Sequence, residues 1–212
     1  MYIQRALTLP HAETTAISVM ATLPISPDEK AGSLLVVGTE HGEIHIMNGL
    51  FNTVMFTIQL PATPFKILVQ GTVVYDVKMY IACRDGTIYC LSYPGPLPLP
   101  STTYMEDPKY DARKHPMTLG IAVAVGHPLV DFLVFDSQVV VATMHRELIY
   151  YNHVYQPKHT IKLPAVPTHL RLLSVEKVIN VKCVLAALVS PNHSYLLYIS
   201  FIQHLFHNAL VC

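Results

Sequence analysis

The stretch Thr57-Ile-Gln-Leu-Pro-Ala-Thr-Pro-Phe-Lys-Ile67 returns 103 residues further on as Thr160-Ile-Lys-Leu-Pro-Ala-Val-Pro-Thr-His-Leu170. A weaker copy of its Leu-Pro corner stands at Leu9-Pro10. In both full copies an apolar run stops at Leu-Pro and restarts as a second apolar run, the pattern of a connection between repeated sheets. One such unit cannot bury its apolar faces alone and must stack on its neighbours. The chain therefore reads as an array of small antiparallel sheets, which offers a docking surface before it offers a catalytic pocket.

Four hairpins share one design. Leu34-Leu-Val-Val-Gly38 passes through Thr39-Glu-His-Gly42 into Glu43-Ile-His-Ile-Met47, and Met79-Tyr-Ile-Ala-Cys83 through Arg84-Asp-Gly86 into Thr87-Ile-Tyr-Cys-Leu91. Val139-Val-Val-Ala-Thr143 passes through Met144-His-Arg-Glu147 into Leu148-Ile-Tyr-Tyr151. Cys183-Val-Leu-Ala-Ala-Leu-Val189 passes through Ser190-Pro-Asn-His-Ser194 into Tyr195-Leu-Leu-Tyr-Ile199. The first arm of each is a continuous apolar run, as suits a strand covered on both faces. The second arm tends to alternate, as suits a half-buried one. Asp85-Gly86 and His41-Gly42 supply the positive-φ residues that tight hairpins need.

A further apolar strand precedes each hairpin, at 16–20, 65–69, 130–135 and 170–175, and another follows the first three, at 53–60, 117–125 and 159–163. Gly38, Cys83, Ala142 and Ala187 are spaced by 45, 59 and 45 residues. Four strands per unit at a period near 45 is the signature of propeller blades. The fold class is all-β: a β-propeller of four-stranded antiparallel blades, with four blades in residues 1–212. The extra length of the second interval falls in a Pro-rich insertion at 93–116, which carries Pro94, Pro96, Pro98, Pro100 and Pro108 and the charge cluster from Glu106 to Lys114.

Composition narrows the function classes. Hydrophobic residues make up 51% of the chain and charged residues 13%, against roughly 25% charged in an average domain. Such a chain buries both faces of its sheets or is covered by partners. Fourteen basic residues balance fourteen acidic ones, so there is no basic field for nucleic acid or anionic lipid. The start, Met-Tyr-Ile-Gln-Arg, lacks the form of a secretory signal. The nearly uncharged stretch 118–135 is broken by Gly126-His127-Pro128 and reads as two strands and a turn, not as a membrane helix. The cysteines Cys83, Cys90, Cys183 and Cys212 form no metal or disulfide framework, and are expected to be small buried hydrophobes in a reducing compartment.

Topology decides which loops share a face. In an up-and-down blade the turn between second and third strands lies at the same end as the connection from the fourth strand to the next blade. Glu40, His41, Arg84, Asp85, His145, Arg146, Glu147, Asn192 and His193 thus fall on one rim with Pro61, Pro64, Pro164 and Pro167. Two readings stand: ordinary solvated turns, or a partner-facing rim. Closure is equally open. Residues 2–9 complete the last blade if the ring closes on four. If 201–212 form that blade's own outer strand, the chain is an open portion of a larger ring. The last twelve residues also fit an amphipathic helix loosely.

The strings Leu34-Leu-Val-Val-Gly-Thr-Glu-His-Gly-Glu-Ile-His-Ile-Met47, Leu60-Pro61 with Pro64, and Ile81-Ala-Cys-Arg-Asp-Gly-Thr-Ile-Tyr89 resemble the Bardet–Biedl syndrome 1 family of BBSome subunits. The resemblance is best over 34–91 and continues more weakly through 139–151, Leu163-Pro164 and 184–199. It implies part of a seven-bladed propeller in a non-enzymatic, coat-like complex that carries membrane cargo into and out of cilia. The implied partners are other BBSome-type subunits and an Arf-like small GTPase that recruits the family in its GTP state. The implied location is the cytoplasm, the basal body and the ciliary membrane, held there peripherally through partners. The later blades only would correspond, without the family's first blades or its helical and immunoglobulin-like regions. No family binding residue is transferred.

The chain has no Gly-x-Ser-x-Gly elbow, phosphate loop, Gly-x-Gly-x-x-Gly or His-Glu-x-x-His. His204 and His207 have a spacing that suits a metal on a helix but lack companion ligands, while Asp76, Asp131 and Asp136 are scattered among strand ends. No cofactor, metal site or catalytic residue is expected. The reading is a non-catalytic protein-interaction scaffold. The alternative is a closed four-bladed enzyme or binding module with its site in the central channel, for which the first strands offer mainly Ala16, Ile17, Val19, Phe65, Ile67, Phe132, Val134, Leu170 and Leu172.

Overall fold

The computed structural model describes residues 15–28, 32–48, 53–95, 97, 117–135, 138–152, 154–174, 181–189, 194–202 and 205–211. Side chains are described through residue 171. Within these residues the chain is sixteen strands and no helix. The first sheet is β1 (Ile17–Pro24), β2 (Ser33–Thr39), β3 (Glu43–Asn48) and β4 (Thr53–Gln59). The second is β5 (Pro64–Gly71), β6 (Val77–Cys83), β7 (Thr87–Tyr93) and β8 (Thr118–Ala124). The third is β9 (Leu129–Phe135), β10 (Gln138–Thr143), β11 (Glu147–Tyr151) and β12 (Pro157–Lys162). The fourth is β13 (Pro167–Ser174), β14 (Val181–Val189), β15 (Ser194–Ile202) and β16 (Leu205–Val211). Each sheet is antiparallel with its strands in chain order, which is the expected blade.

Two compact units divide the chain, Met1–Ala124 and Val125–Cys212. In the first, β1 packs against β5; in the second, β9 packs against β13. The leading strand of one sheet thus lies beside the leading strand of the next, as inner strands of successive blades do.

The continuous apolar run of β2 is explained by its two faces. Side chains alternate across a strand, so Leu34 and Val36 enter the core formed with Ile44, Ile46, Met79, Ile81, Cys83, Tyr89 and Leu91 of the first unit. Val37 instead joins Met47, Leu35 and Val54 in a second cluster. Each large side chain buried in this way contributes roughly 1.5–3 kcal/mol. The sequence pattern led us to expect β3 to be half-buried, but its central residues Ile44 to Met47 are buried on both faces. His45 is held there by its Nδ1, 3.0 Å from Thr57 Oγ1, while its Nε2 stands 3.4 Å from Glu43 Oε2 without a hydrogen bond.

All four inner strands carry a β-bulge at the same place. Ile17 and Val19 pair with consecutive partners Thr39 and Gly38. Pro64 and Lys66 do so with Cys83 and Ala82, Leu129 and Asp131 with Thr143 and Ala142, and Pro167 and His169 with Leu188 and Ala187. An extra residue here bends the strand and sharpens its twist, so the repeat extends to the backbone. At this point Gly38 leaves room for the neighbouring sheet, since a Cβ there would stand 2.6 Å from Val19 Cγ1 and 2.8 Å from Pro64 Cγ.

Of the alternatives left open for the end of the chain, the structure takes the outer strand. Residues 205–211 are a strand, not an amphipathic helix. β15 pairs with β14 on one side and β16 on the other, so 195–199 have no edge left for residues 2–9, which lie outside the described residues. Most of the insertion also lies outside them. Its first described part is anchored by Leu97, whose N–H donates to Val73 O at 2.8 Å.

Candidate functional site

The three described turns between second and third strands repeat one backbone conformation. The N–H of Gly42 donates to Thr39 O at 3.0 Å, that of Gly86 to Cys83 O at 3.1 Å, and that of Arg146 to Thr143 O at 3.2 Å. The last residue of each turn is left-handed, with φ of 85° at Gly42, 87° at Gly86 and 62° at Arg146. Glycine suits this conformation because it has no Cβ to clash. At Gly42 a Cβ would also stand 2.6 Å from Leu60 O.

The first and third of these turns are tied to the corner that leaves the same sheet. Leu60 N–H donates to Gly42 O at 2.8 Å and Leu163 N–H to Arg146 O at 2.7 Å. The first sheet adds Gln59 Nε2 donating to His41 O at 2.9 Å and Thr63 Oγ1 donating to Glu40 O at 2.7 Å. Thr63 O in turn accepts the Arg84 N–H at 2.9 Å. In the first unit, then, Glu40, His41, Arg84 and Asp85 stand at one end, linked through Thr63, and all four are exposed. Asp85 also has a local role: its Oδ1 accepts Thr87 N–H and its Oδ2 accepts Thr87 Oγ1, both at 3.0 Å. Such a carboxylate bond pre-forms the turn.

In the second unit Met144 N–H donates to Pro128 O at 3.0 Å, which brings the Gly126-His127-Pro128 corner onto the turn. The rings of His127 and His145 lie 4.3 Å apart between centroids. His145, Arg146 and Glu147 line a hollow of about 210 Å³ together with Lys162 and Leu163. Asn192 and His193 lie outside the described residues. Lys162, which lines the hollow, and His127, which packs on its wall residue His145, are residues that sequence reasoning passed over. Topology had already placed the corner and the end of β12 on this rim, so the signal was present.

The described carboxylates Asp76 and Asp131 each serve backbone donors. Asp76 Oδ1 accepts Gly95 N–H at 3.0 Å. Asp131 is buried, its two oxygens accepting Phe132 N–H at 2.8 Å and Leu170 N–H at 2.7 Å. Asp136 and His204 lie outside the described residues. Cys83 and Cys90 are free thiols. Burial, helped by the nearby Asp85 charge, pushes the Cys83 thiol up to about 12. Among the described residues no group of three or more His, Cys, Asp or Glu could hold a metal ion, and no helix is long and apolar enough to cross a membrane.

Residues 1–92 match the family model of ciliary BBSome complex subunit 1. This span contains the 34–91 stretch on which the resemblance was read. The mouse (Mus musculus) BBSome complex member BBS1 is 36% identical over 78 residues, which is 36% of this chain and 13% of that protein. The chain also resembles the crystal structure of BBS1N in complex with ARL6DN, with a TM-score of 0.64, 22% identity, and coverage of 95% of this chain and 57% of that one. A second likeness is the β-propeller domain of Myceliophteria thermophila Cps50 (Swd1), with a TM-score of 0.53, 10% identity, and coverage of 84% and 53%. At these identities the structural likeness establishes the fold, a β-propeller. The chain spans a small fraction of the curated relative and little more than half of either propeller structure.

Proposed function

We propose that this chain is a portion of the propeller of a BBSome-type subunit: a non-catalytic scaffold for ciliary membrane-protein trafficking. It docks other BBSome-type subunits and an Arf-like small GTPase, and it reaches the ciliary base and membrane from the cytoplasm through those partners. The observation that carries this reading is the family match over residues 1–92. The shape of a relative solved with ARL6DN supports the GTPase part.

The rim supports a docking role on physical grounds. Its side chains stand on turns whose backbone is held by hydrogen bonds from the adjoining corners. A surface fixed in advance loses less entropy on binding. A catalytic centre on the inner strands is less favoured, since the buried carboxylate Asp131 already serves two backbone N–H groups. The fourth sheet takes its outer strand from its own sequence, β16, which favours a portion of a larger ring over closure on four blades.

Affinity purification of the tagged chain from ciliated cells tests the proposal. Recovery of BBSome-type subunits, with an Arf-like GTPase enriched by a non-hydrolysable GTP analogue, is the expected result. Recovery of neither overturns it.

A further inference from the structure

Three turns share one backbone, and the third breaks its own rule. Gly42 and Gly86 hold the left-handed position in the first two sheets, whereas Arg146 holds it in the third at φ 62°. An L-residue with a side chain is disfavoured there, and such strain is a pointer to function when the side chain has somewhere to act. Arg146 does. It lines the 210 Å³ hollow with Lys162, His145, Glu147 and Leu163.

The hollow has the chemistry of an anion seat. Arg146 and Lys162 are exposed, and neither is ion-paired among the described residues. Glu147 is the one carboxylate in the lining; it stands opposite Lys162 in the β11–β12 register and leaves the two cations in excess. The wall beside Arg146 is set by His145, whose ring rests against His127 at 4.3 Å. Leu163, buried at 5% exposure, gives the hollow an apolar side. Its N–H holds Arg146 O at 2.7 Å, so the corner fixes the turn that presents the guanidinium.

We infer that this hollow is a docking site for an acidic peptide segment of a partner protein. A glutamate side chain fits the cations: its carboxylate meets the guanidinium fork and the Lys162 ammonium. A planar guanidinium binds a carboxylate in two parallel hydrogen bonds. The equivalent turn of the first sheet carries Glu40, His41 and Glu43, and that of the second pairs its one cation, Arg84, in sequence with Asp85, so an excess of two cations over one carboxylate belongs to the third sheet. The inference rests on the reading of these turns as partner-facing and names the chemistry of one partner.

The test is fluorescence anisotropy of the whole chain with a labelled peptide of eight glutamates, run beside an eight-lysine peptide. The glutamate peptide binds at low ionic strength and the lysine peptide does not. R146G weakens binding roughly tenfold while raising Tm by roughly 2–4 °C, because it relieves the strained turn. K162Q weakens binding with Tm unchanged, and E147Q tightens it. Opposite signs for affinity and stability in R146G separate a binding role from a structural one.

Three results overturn the inference: no binding of the glutamate peptide, binding undiminished in both R146G and K162Q, or equal displacement by inorganic phosphate at the same charge concentration. Its failure is distinguishable from failure of the trafficking proposal. Loss of acid binding leaves the recovery of BBSome-type subunits as it was, and acid binding without that recovery contradicts the proposal alone.

Discussion

Asp131 on β9 reaches across to β13, where its Oδ2 accepts the backbone N–H of Leu170 at 2.7 Å while Oδ1 accepts Phe132 N–H. The residue stands immediately after the inner-strand bulge, the place held by Val19, Lys66 and His169 in the other sheets. One carboxylate therefore joins two inner strands. Hydrogen bonds to a charged group contribute about 1.5–3 kcal/mol each, and orphaned buried donors cost more than bonds never made. Asp131→Ala is expected to destabilise the chain by roughly 2–4 kcal/mol, read as a lowered urea midpoint with unchanged slope. A midpoint within error of wild type would deny the bond its role.

Gly42 and Arg146 occupy equivalent positions with opposite consequences. Gly42→Ala meets both a left-handed φ and the Leu60 carbonyl, and should cost roughly 2 kcal/mol, combining the chirality penalty with displacement of the corner. Gly86→Ala, at φ 87°, should cost roughly 1–2 kcal/mol from the same chirality penalty. Thermal melts of the two variants check the order. If alanine were neutral at both sites, the shared turn geometry would be wrong.

The Cys83 thiol gives a pH signature. Its pKa rises to about 12 in the fold from an ordinary value of 9.0, because burial and then Asp85 disfavour the thiolate. The unfolded chain loses this proton first, so the stability linked to it is complete below about pH 9 and is lost as pH rises towards 12. Tyr89, Tyr150 and Tyr151 are also raised, chiefly by burial, and act in the same direction. Cys83→Thr is the replacement best matched to the site, since Thr39 and Thr143 occupy the equivalent buried positions. It should flatten the fall in the denaturation midpoint between pH 9 and 11. A folded Cys83 that reacts with a thiol reagent at pH 8 as fast as the unfolded chain would contradict the burial.

Burial separates two isoleucines of the second sheet. Ile81 is fully buried and Ile121 is 64% exposed on β8. Ile81→Ala should cost about 2–5 kcal/mol through lost burial and the cavity left behind. Ile121→Thr should change stability by less than about 0.5 kcal/mol. Denaturant titrations of both variants check the contrast.

The strands and the order of the sheets were legible in the chain because apolar runs and turns repeat at about 45 residues once the Pro-rich insertion is set aside. The repeated bulge was not, since it shifts backbone register without changing which residue types occur. The bond from Asp131 to Leu170 spans 39 residues, and no local pattern announces it. His45 broke the alternation of β3 because Thr57 and Glu43 supply polar company that only strand pairing brings near. For β16 the sequence left strand and helix open, because its seven residues suit a period of 2 or 3.6 about equally, and pairing with β15 settles the choice. Topology alone put Glu40, His41, Arg84 and Asp85 on turns at one end of the first unit, and His145, Arg146 and Glu147 on the corresponding turn of the second. The hollow needed Lys162 and Leu163, from the end of β12 and the corner after it, while His127 packs on its wall residue His145.

Hydrogen exchange of the chain, alone and bound to a BBSome-type subunit recovered with it, tests the docking rim most directly. The account predicts slowed exchange at the turns 39–43, 83–87 and 143–147, with no change in the opposite-end loops 25–28 and 71–77. Protection confined to those opposite loops, with the three turns exchanging as in the free chain, would contradict it.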